Sequence, residues 1–209
     1  MAALFGLLLA LSRRGISRSL RWFCVALATV SALDAWLTGT QILGLGPLPD
    51  GAATLIPLAF VLIGDFRYFL FIESARSDGR LVTGAGQLAR AGAWTLVVPT
   101  ASQLLITAFG SNDSRVLFLT YETLFVVLAL GIAALYLPRR SDALRWTRQA
   151  TGFVIGYYTL WALADAVILG AKTDMGFLLR VLPNVLYYGG LMPMLAWTAP
   201  GGTVKQSRS

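Results

Sequence analysis

Histidine is absent from this 209-residue chain, and cysteine occurs once, at Cys24. Without imidazole there is no His-ligated haem, no Ser-His-Asp or Cys-His nucleophile and no His-based zinc site. A lone thiol forms neither an intramolecular disulfide nor a cysteine cluster, so cysteine usage does not report a redox compartment. Charge is scarce too: 13% of the residues are Asp, Glu, Lys or Arg, roughly half of what a soluble domain carries. With 56% hydrophobic residues and a mean hydropathy of +0.69, one 22.5 kDa core cannot hide the apolar side chains. Much of the surface must face lipid, and the sequence reads as an all-α, polytopic membrane helix bundle.

Crossing ~30 Å of hydrocarbon takes roughly 20 apolar residues. Runs of that kind fall at 22–45, 52–72, 91–109, 116–137, 150–171 and 177–198, giving six expected transmembrane helices. The third could begin as early as Leu81. The opening apolar run, 1–11, is stopped by Arg13 and Arg14 at about half the length of a span. It reads as an interfacial or tucked-in segment, with a short seventh span as the alternative. It does not read as a secretory signal, because no positive charge precedes it. The expected division is an interfacial, basic segment at 1–21, one helical bundle at 22–198 and a flexible cytoplasmic tail at 199–209. The connections 46–51 and 110–115 are short and turn-rich, which leaves no soluble domain.

Positive charge sets the threading direction, because cytoplasmic loops carry the excess of Lys and Arg. One side would hold Arg13, Arg14, Arg18, Arg21, Arg76, Arg80, Arg90, Arg139, Arg140, Arg145, Arg148, Lys205 and Arg208, the other only Arg115 and Lys172. Both termini are therefore expected in the cytoplasm, in a plasma or inner membrane or in the endoplasmic reticulum. The net charge of +7 follows from basic loops facing anionic headgroups, so membrane lipid is an expected partner and nucleic acid is not.

Six charged residues fall inside the expected spans: Asp34, Asp65, Arg67, Glu122, Asp165 and Arg180. An Asp or Arg at a helix centre costs roughly 2.5–3.5 kcal/mol on insertion scales, so such positions are functional candidates by default. Helical spacing gives them surroundings. Ser31, Asp34, Thr38 and Gln41 stack on one face, as do Tyr157, Trp161 and Asp165, and Arg180, Asn184 and Tyr187 or Tyr188. Thr100, Gln103 and Thr107 supply a fourth polar stripe, and four stripes imply a shared polar interior. At ~1.5 Å of rise per residue the acids descend from Glu122 and Asp165, about 10 Å below the outer face, through Asp34 to Asp65 at about 20 Å. Arg67, two residues from Asp65, points elsewhere and would snorkel toward the headgroups. A structural reading stands beside the functional one: Asp165 and Arg180, at similar depth on consecutive helices, form a natural clamp. Glu122, within two turns of a span end, could tilt toward water. Pro57, Pro99, Pro183 and Pro193 are expected to kink their helices, freeing carbonyls that can line a cavity. The tryptophans Trp22, Trp36, Trp94, Trp146 and Trp197 are expected as belt or core residues.

The run Pro57-Leu-Ala-Phe-Val-Leu-Ile-Gly-Asp-Phe-Arg-Tyr-Phe-Leu70 resembles the Gly-Asp helix of the lysoplasmalogenase-like membrane family. Ala162-Leu-Ala-Asp-Ala-Val-Ile-Leu169, with Tyr187-Tyr188 in the following helix, resembles that family's later Ser-Asp helix and Tyr-Tyr-containing last helix. The similar stretches cover about a third of the chain. Departures include a missing Lys-Pro before the Gly-Asp helix, a missing His, and Ala164 where Ser is usual. The resemblance implies a hydrolase acting on a lysolipid ether bond, with Asp65 and Asp165 as its acid/base pair and Asp34 as an intermediate group between them in depth. One carboxylic acid, its proton retained by desolvation, would donate to the leaving oxygen while a second carboxylate activates water. Arg180, Asn184, Glu122, Tyr157 and Tyr188 are the candidate substrate-binding residues. No cofactor and no metal is expected. The rival expectations are a proton-coupled small-molecule transporter and a non-enzymatic structural or sensory membrane subunit.

Overall fold

The computed structural model describes residues 1–38, 50–111, 113–171 and 175–200, with side chains given for all of these except 38 and 50–58. Gln41, Lys172, Lys205 and Arg208, and the side chains of Thr38 and Pro57, lie outside the described residues, as does most of the connection 46–51.

Among the described residues seven helical elements follow one another. They are α1 (Ala2–Ser12), α2 (Arg18–Thr38), α3 (Asp50–Ser74), α4 (Ala85–Phe109), α5 (Ser114–Gly131), α6 (Leu144–Ala171) and α7, which occupies 175–198. Helix α5 continues through a π-helical turn at Ile132–Tyr136 into Leu137–Arg140. Helix α7 is built from Met175–Leu179, Val181–Val185, a second π-helical turn at Leu186–Gly190, and Leu191–Thr198. Among the described residues the only β feature is an isolated bridge between Ala75 and Leu81. Four helices there are long and apolar enough to cross a membrane: Arg18–Leu37, Ala85–Phe109, Ser114–Arg140 and Leu144–Ala171. Leu96, Leu104, Val127, Leu135 and Leu163 stand exposed on these helices, an outward apolar face suited to lipid and not to water.

The helices begin earlier than the apolar runs, by about a turn or more at α2 (Arg18), α4 (Ala85, within the range left open for it) and α6 (Leu144). Apolar counting stops at Arg90 and Arg148, but the backbone ladder continues into the basic first turns. The start of α4 is fixed by Gln87, whose Oε1 accepts the Gly84 N–H at 3.2 Å. Its end is fixed by Gly110 in the left-handed region at φ 63°, with the Ser111 N–H closing onto the Ile106 carbonyl at 3.2 Å.

The basic connections gather at one end of the bundle. Ser17 Oγ donates to the Gly79 carbonyl at 2.8 Å, the Leu81 N–H donates to Ser19 Oγ at 2.9 Å, and Arg76 meets Asp142 at 3.4 Å. Arg13 reaches the end of α7, donating to the carbonyls of Ala196 and, at 2.9 Å, Ala199. It thereby satisfies acceptors that every helix C-terminus leaves open. Helix α1 lies alongside α7 through the stripe Ala3, Gly6 and Ala10, all buried, while Leu4, Phe5 and Leu8 face outward. A Cβ on Gly6 would sit 2.0 Å from the Gly189 carbonyl oxygen, so the two backbones touch through glycine alone.

One core runs through the bundle, from Ala10 and Cys24 through Phe71, Phe125 and Tyr158 to Leu195. Phe125 stacks on Tyr158 at 3.9 Å between centroids, Phe71 meets Trp146 edge-on at 4.8 Å, and Trp146 Nε1 donates to the Leu195 carbonyl at 3.0 Å. Trp22, Trp36 and Trp197 are exposed, whereas Trp146 is enclosed.

Candidate functional site

Helix α6 organises the polar interior. Thr151, Tyr158 and Asp165 recur every seven residues and so share one face, and all three are buried. Each meets a different partner. Thr151 Oγ1 accepts from the Tyr68 hydroxyl of α3 at 3.1 Å. Tyr158 donates its hydroxyl to Asp65 of α3, and Asp165 pairs with arginines at the other end of the helix.

Asp65 is 1% exposed and accepts one phenolic proton on each carboxylate oxygen, from Tyr121 on α5 and Tyr158 on α6. Phenols are neutral donors, so they satisfy the carboxylate's lone pairs without cancelling its charge. Arg67 does not snorkel. It is 6% exposed, donates Nη2 to the Tyr187 carbonyl at 2.7 Å and lies over the Tyr187 ring at 4.0 Å. That carbonyl belongs to the π-turn of α7, where the regular ladder is interrupted and a side-chain donor can enter. Gly64 lets the Tyr187 hydroxyl come close, since a Cβ there would lie 1.5 Å from it. Tyr157 is enclosed by Phe153, Trp161 and Tyr187, all edge-on to it. Asp34 on α2 accepts from the Tyr188 hydroxyl at 2.8 Å.

A second cluster lies toward the opposite end from the basic loops. Arg180 Nη1 is 3.1 Å from Asp165 Oδ1, Arg180 Nη2 is 3.5 Å from Glu122 Oε1, and Arg115 Nη1 is 3.4 Å from the same oxygen of Asp165. Two carboxylates thus face two guanidiniums, and the charges cancel. Glu122 does not tilt to water; it is 4% exposed. Arg115 and Arg180 also lie over the rings of Phe177 and Phe118, at 4.9 and 6.0 Å from the centroids. Glu122 Oε2 and Asp165 Oδ2 have no hydrogen-bond partner among the described residues. Asn184 is outside this network, its Oδ1 accepting from Trp161 Nε1 at 2.9 Å.

The structure therefore brings Glu122, Asp165 and Arg180 together, and separately joins Asp34 to Tyr188. It does not join Asp65 to Asp165. Their places on α6, marked by Tyr158 and Asp165, are seven residues or about 10 Å apart along the axis. Reasoning from the sequence missed Tyr121 and Tyr158 as partners of Asp65, and Arg115 as a member of the acidic cluster. The seven-residue recurrence Thr151, Tyr158, Asp165 was the available signal for Tyr158. Among the described residues no group of three His, Cys, Asp or Glu is placed to hold a metal ion. Compared with known protein families, with curated proteins and with solved structures, the chain matches none.

Proposed function

We propose that this is an integral membrane enzyme that processes a lysolipid-like amphiphile, with Asp65 as the group that exchanges a proton with the substrate. The chain crosses the membrane six times in this reading, with the basic end in the cytoplasm. The observation that supports it is the Asp65 carboxylate itself, enclosed in the bundle and held by two phenols from two other helices. An ionisable group kept at that depth is expensive, and neutral partners leave its proton free to move where a paired arginine would pin the charge. Tyr121 and Tyr158 orient the two oxygens; Asp65 in its acid form donates its proton to the leaving oxygen, and the water that bonds to the released fragment returns a proton to the Asp65 carboxylate. Asp165 serves here as a clamp between α6 and α7 and not as the second acid/base group, because its charge is matched by Arg180 and Arg115. Purified protein incubated with ester- and ether-linked lysolipids, followed by mass spectrometry of the products, should show turnover that Asp65→Asn abolishes. Folded protein inert on every lysolipid class overturns the proposal.

A proton-coupled carrier is the second reading, and one observation favours it. The acids occupy separate stations, with Asp165 and Glu122 on arginines, Asp65 on Tyr121 and Tyr158, and Asp34 on Tyr188. Such a carrier would give substrate-driven pH changes in proteoliposomes that Asp34→Asn removes, and no lipid turnover.

A further inference from the structure

Helix α4 packs against α3 and α5 through Ala91, Thr95, Val98, Ser102 and Ile106, all of them buried. Its opposite face is exposed at Ala89, Ala93, Leu96, Thr100, Gln103 and Thr107. Thr100, Gln103 and Thr107 therefore do not join the polar interior that their spacing suggests; they point out of the bundle. The six exposed positions follow one another at steps of four, three, four, three and four. That is the repeat by which two helices wrap around each other as a left-handed pair. From Ala89 to Thr107 the stripe runs about 27 Å at ~1.5 Å per residue, most of the ~30 Å hydrocarbon core.

Gln103 is out of place on a face turned to lipid. It lies about 10 Å inside the end of α4 at Gly110. Thr107 donates its hydroxyl to the Gln103 carbonyl at 2.8 Å, whereas the side-chain amide of Gln103 has no hydrogen-bond partner among the described residues. Hydrocarbon supplies none, and an amide left unpaired in such a medium is strongly disfavoured. The amide carries both a donor and an acceptor, so a second Gln103 at the same depth satisfies it reciprocally.

The rest of the stripe suits such a pairing. Ala89 and Ala93 are small enough for two backbones to approach. Arg90, beside them, already has its charge matched by Glu73 at 2.6 Å, so two copies do not bring bare like charges together. An open apolar groove of about 300 Å³, lined by Leu62, Phe66, Gly92 and Leu96 among others, borders the stripe. No atom lies within 4 Å of a Cβ built on Gly92, and a helix laid along the stripe covers Leu96 and closes the groove. Helix α6 turns Gly152, Gly156 and Gly170 outward as well, with open space at each. That face offers no amide within the span, so it is the weaker candidate.

We propose that α4 is the interface of a homodimer, in which a second copy lays its own α4 along the first and the two Gln103 amides bond to each other. Copies threaded in the same direction are related by a two-fold axis along the membrane normal, which sets identical residues opposite each other at equal depth. The interface is independent of any chemistry at Asp65, so the two proposals can fail separately.

The test uses the full chain in liposomes. The native Cys24 thiol is enclosed, so an introduced cysteine reports alone. Leu96→Cys and Thr100→Cys should each cross-link to the same residue of a second copy under mild oxidation. Leu105→Cys, exposed on α4 but off the stripe, should not. Energy transfer between two labelled populations, followed as lipid is added, gives the dissociation constant; Gln103→Leu should raise it about tenfold, the loss of a reciprocal pair of interhelical hydrogen bonds. Monomers at every dilution, cross-linking as efficient at Leu105→Cys as at Leu96→Cys, or an unchanged constant in Gln103→Leu overturns the proposal. Cross-linking of Thr159→Cys with none at Leu96→Cys also overturns it, because the interface would then be the glycine face of α6. Should the cysteine variants misfold, energy transfer with Gln103→Leu, which keeps the helix and adds only apolar surface, decides the matter.

Discussion

Asp165 and Asp65 are both enclosed aspartates bonded through the polar face of one bundle, yet they are held by opposite means. Asp165 sits with Glu122 among two guanidiniums, and the cluster is electrically closed. Asp65 sits among phenols, which bind either a carboxylate or a carboxylic acid because a hydroxyl both donates and accepts. The difference separates anchoring from proton chemistry. An ion pair fixes two helices through its charge, while a phenol-held carboxyl group can change its proton without losing its place.

The largest expected effect breaks the closed cluster. Arg180→Met leaves Asp165 and Glu122 with Arg115 alone and should cost about 3 kcal/mol, the lower end for a broken enclosed pair because Arg180 keeps some solvent contact. The loss can be followed by thermal melting in detergent or by reaction of the enclosed Cys24 thiol, which modifies only on unfolding. Asp165→Asn should fall close behind, since it strands the guanidiniums.

Removing one phenol from Asp65 is the next step down. Tyr158→Phe leaves one carboxylate oxygen without its donor and should destabilise by about 1.5–3 kcal/mol where Asp65 is charged. Tyr121→Phe should match it within error; a large asymmetry would show that one phenol holds Asp65 and the other only fills space.

The same Asp→Asn change should then divide the two regions most clearly. Asp65→Asn retains an acceptor for one phenol and removes a charge that no guanidinium balances directly, so stability should shift by about 1 kcal/mol or less while turnover disappears. If Asp65→Asn melts as early as Asp165→Asn, Asp65 is an anchor as well and the distinction fails.

The smallest effect lies outside the helices. Asp78 accepts the Arg80 N–H at 3.0 Å and Arg80 Nε at 2.6 Å, contacts that hold its carboxyl below the usual aspartate range. A depressed carboxyl contributes stability above the unfolded value and loses it as pH falls through the folded one. Because Asp78 is exposed, acid should melt this turn with scarcely any change in the bundle. Carboxyl NMR should show Asp78 titrating below an ordinary aspartate.

The charge pattern made the grouping of loops legible, because each basic connection carries its own arginines whatever the helices do. The pairing of Asp165 with Arg180 was also legible, since two opposite charges at one depth on consecutive helices have few alternatives in hydrocarbon. Tyr121 and Tyr158 were not. Aromatic residues are common in membrane helices, and only the angle at which α5 and α6 meet α3 aims two hydroxyls at one carboxylate. Arg67 was misjudged for a related reason: its snorkelling was expected from depth, but the π-turn before Pro193 opens a carbonyl inside the bundle. The other π-turn also precedes a proline, Pro138, whose missing N–H interrupts the same ladder.

What the sequence determined by itself was the helical class, the apolar exterior and the end at which positive charge collects. Hydrophobic length and loop charge are local properties that no folding changes. Which carboxylate is neutralised, which is left to phenols, and that Gln103 points out of the bundle were decided by tertiary structure alone. Those outcomes depend on side-chain directions from different helices, which are set by helix rotation, by a π-turn and by the glycines where backbones touch.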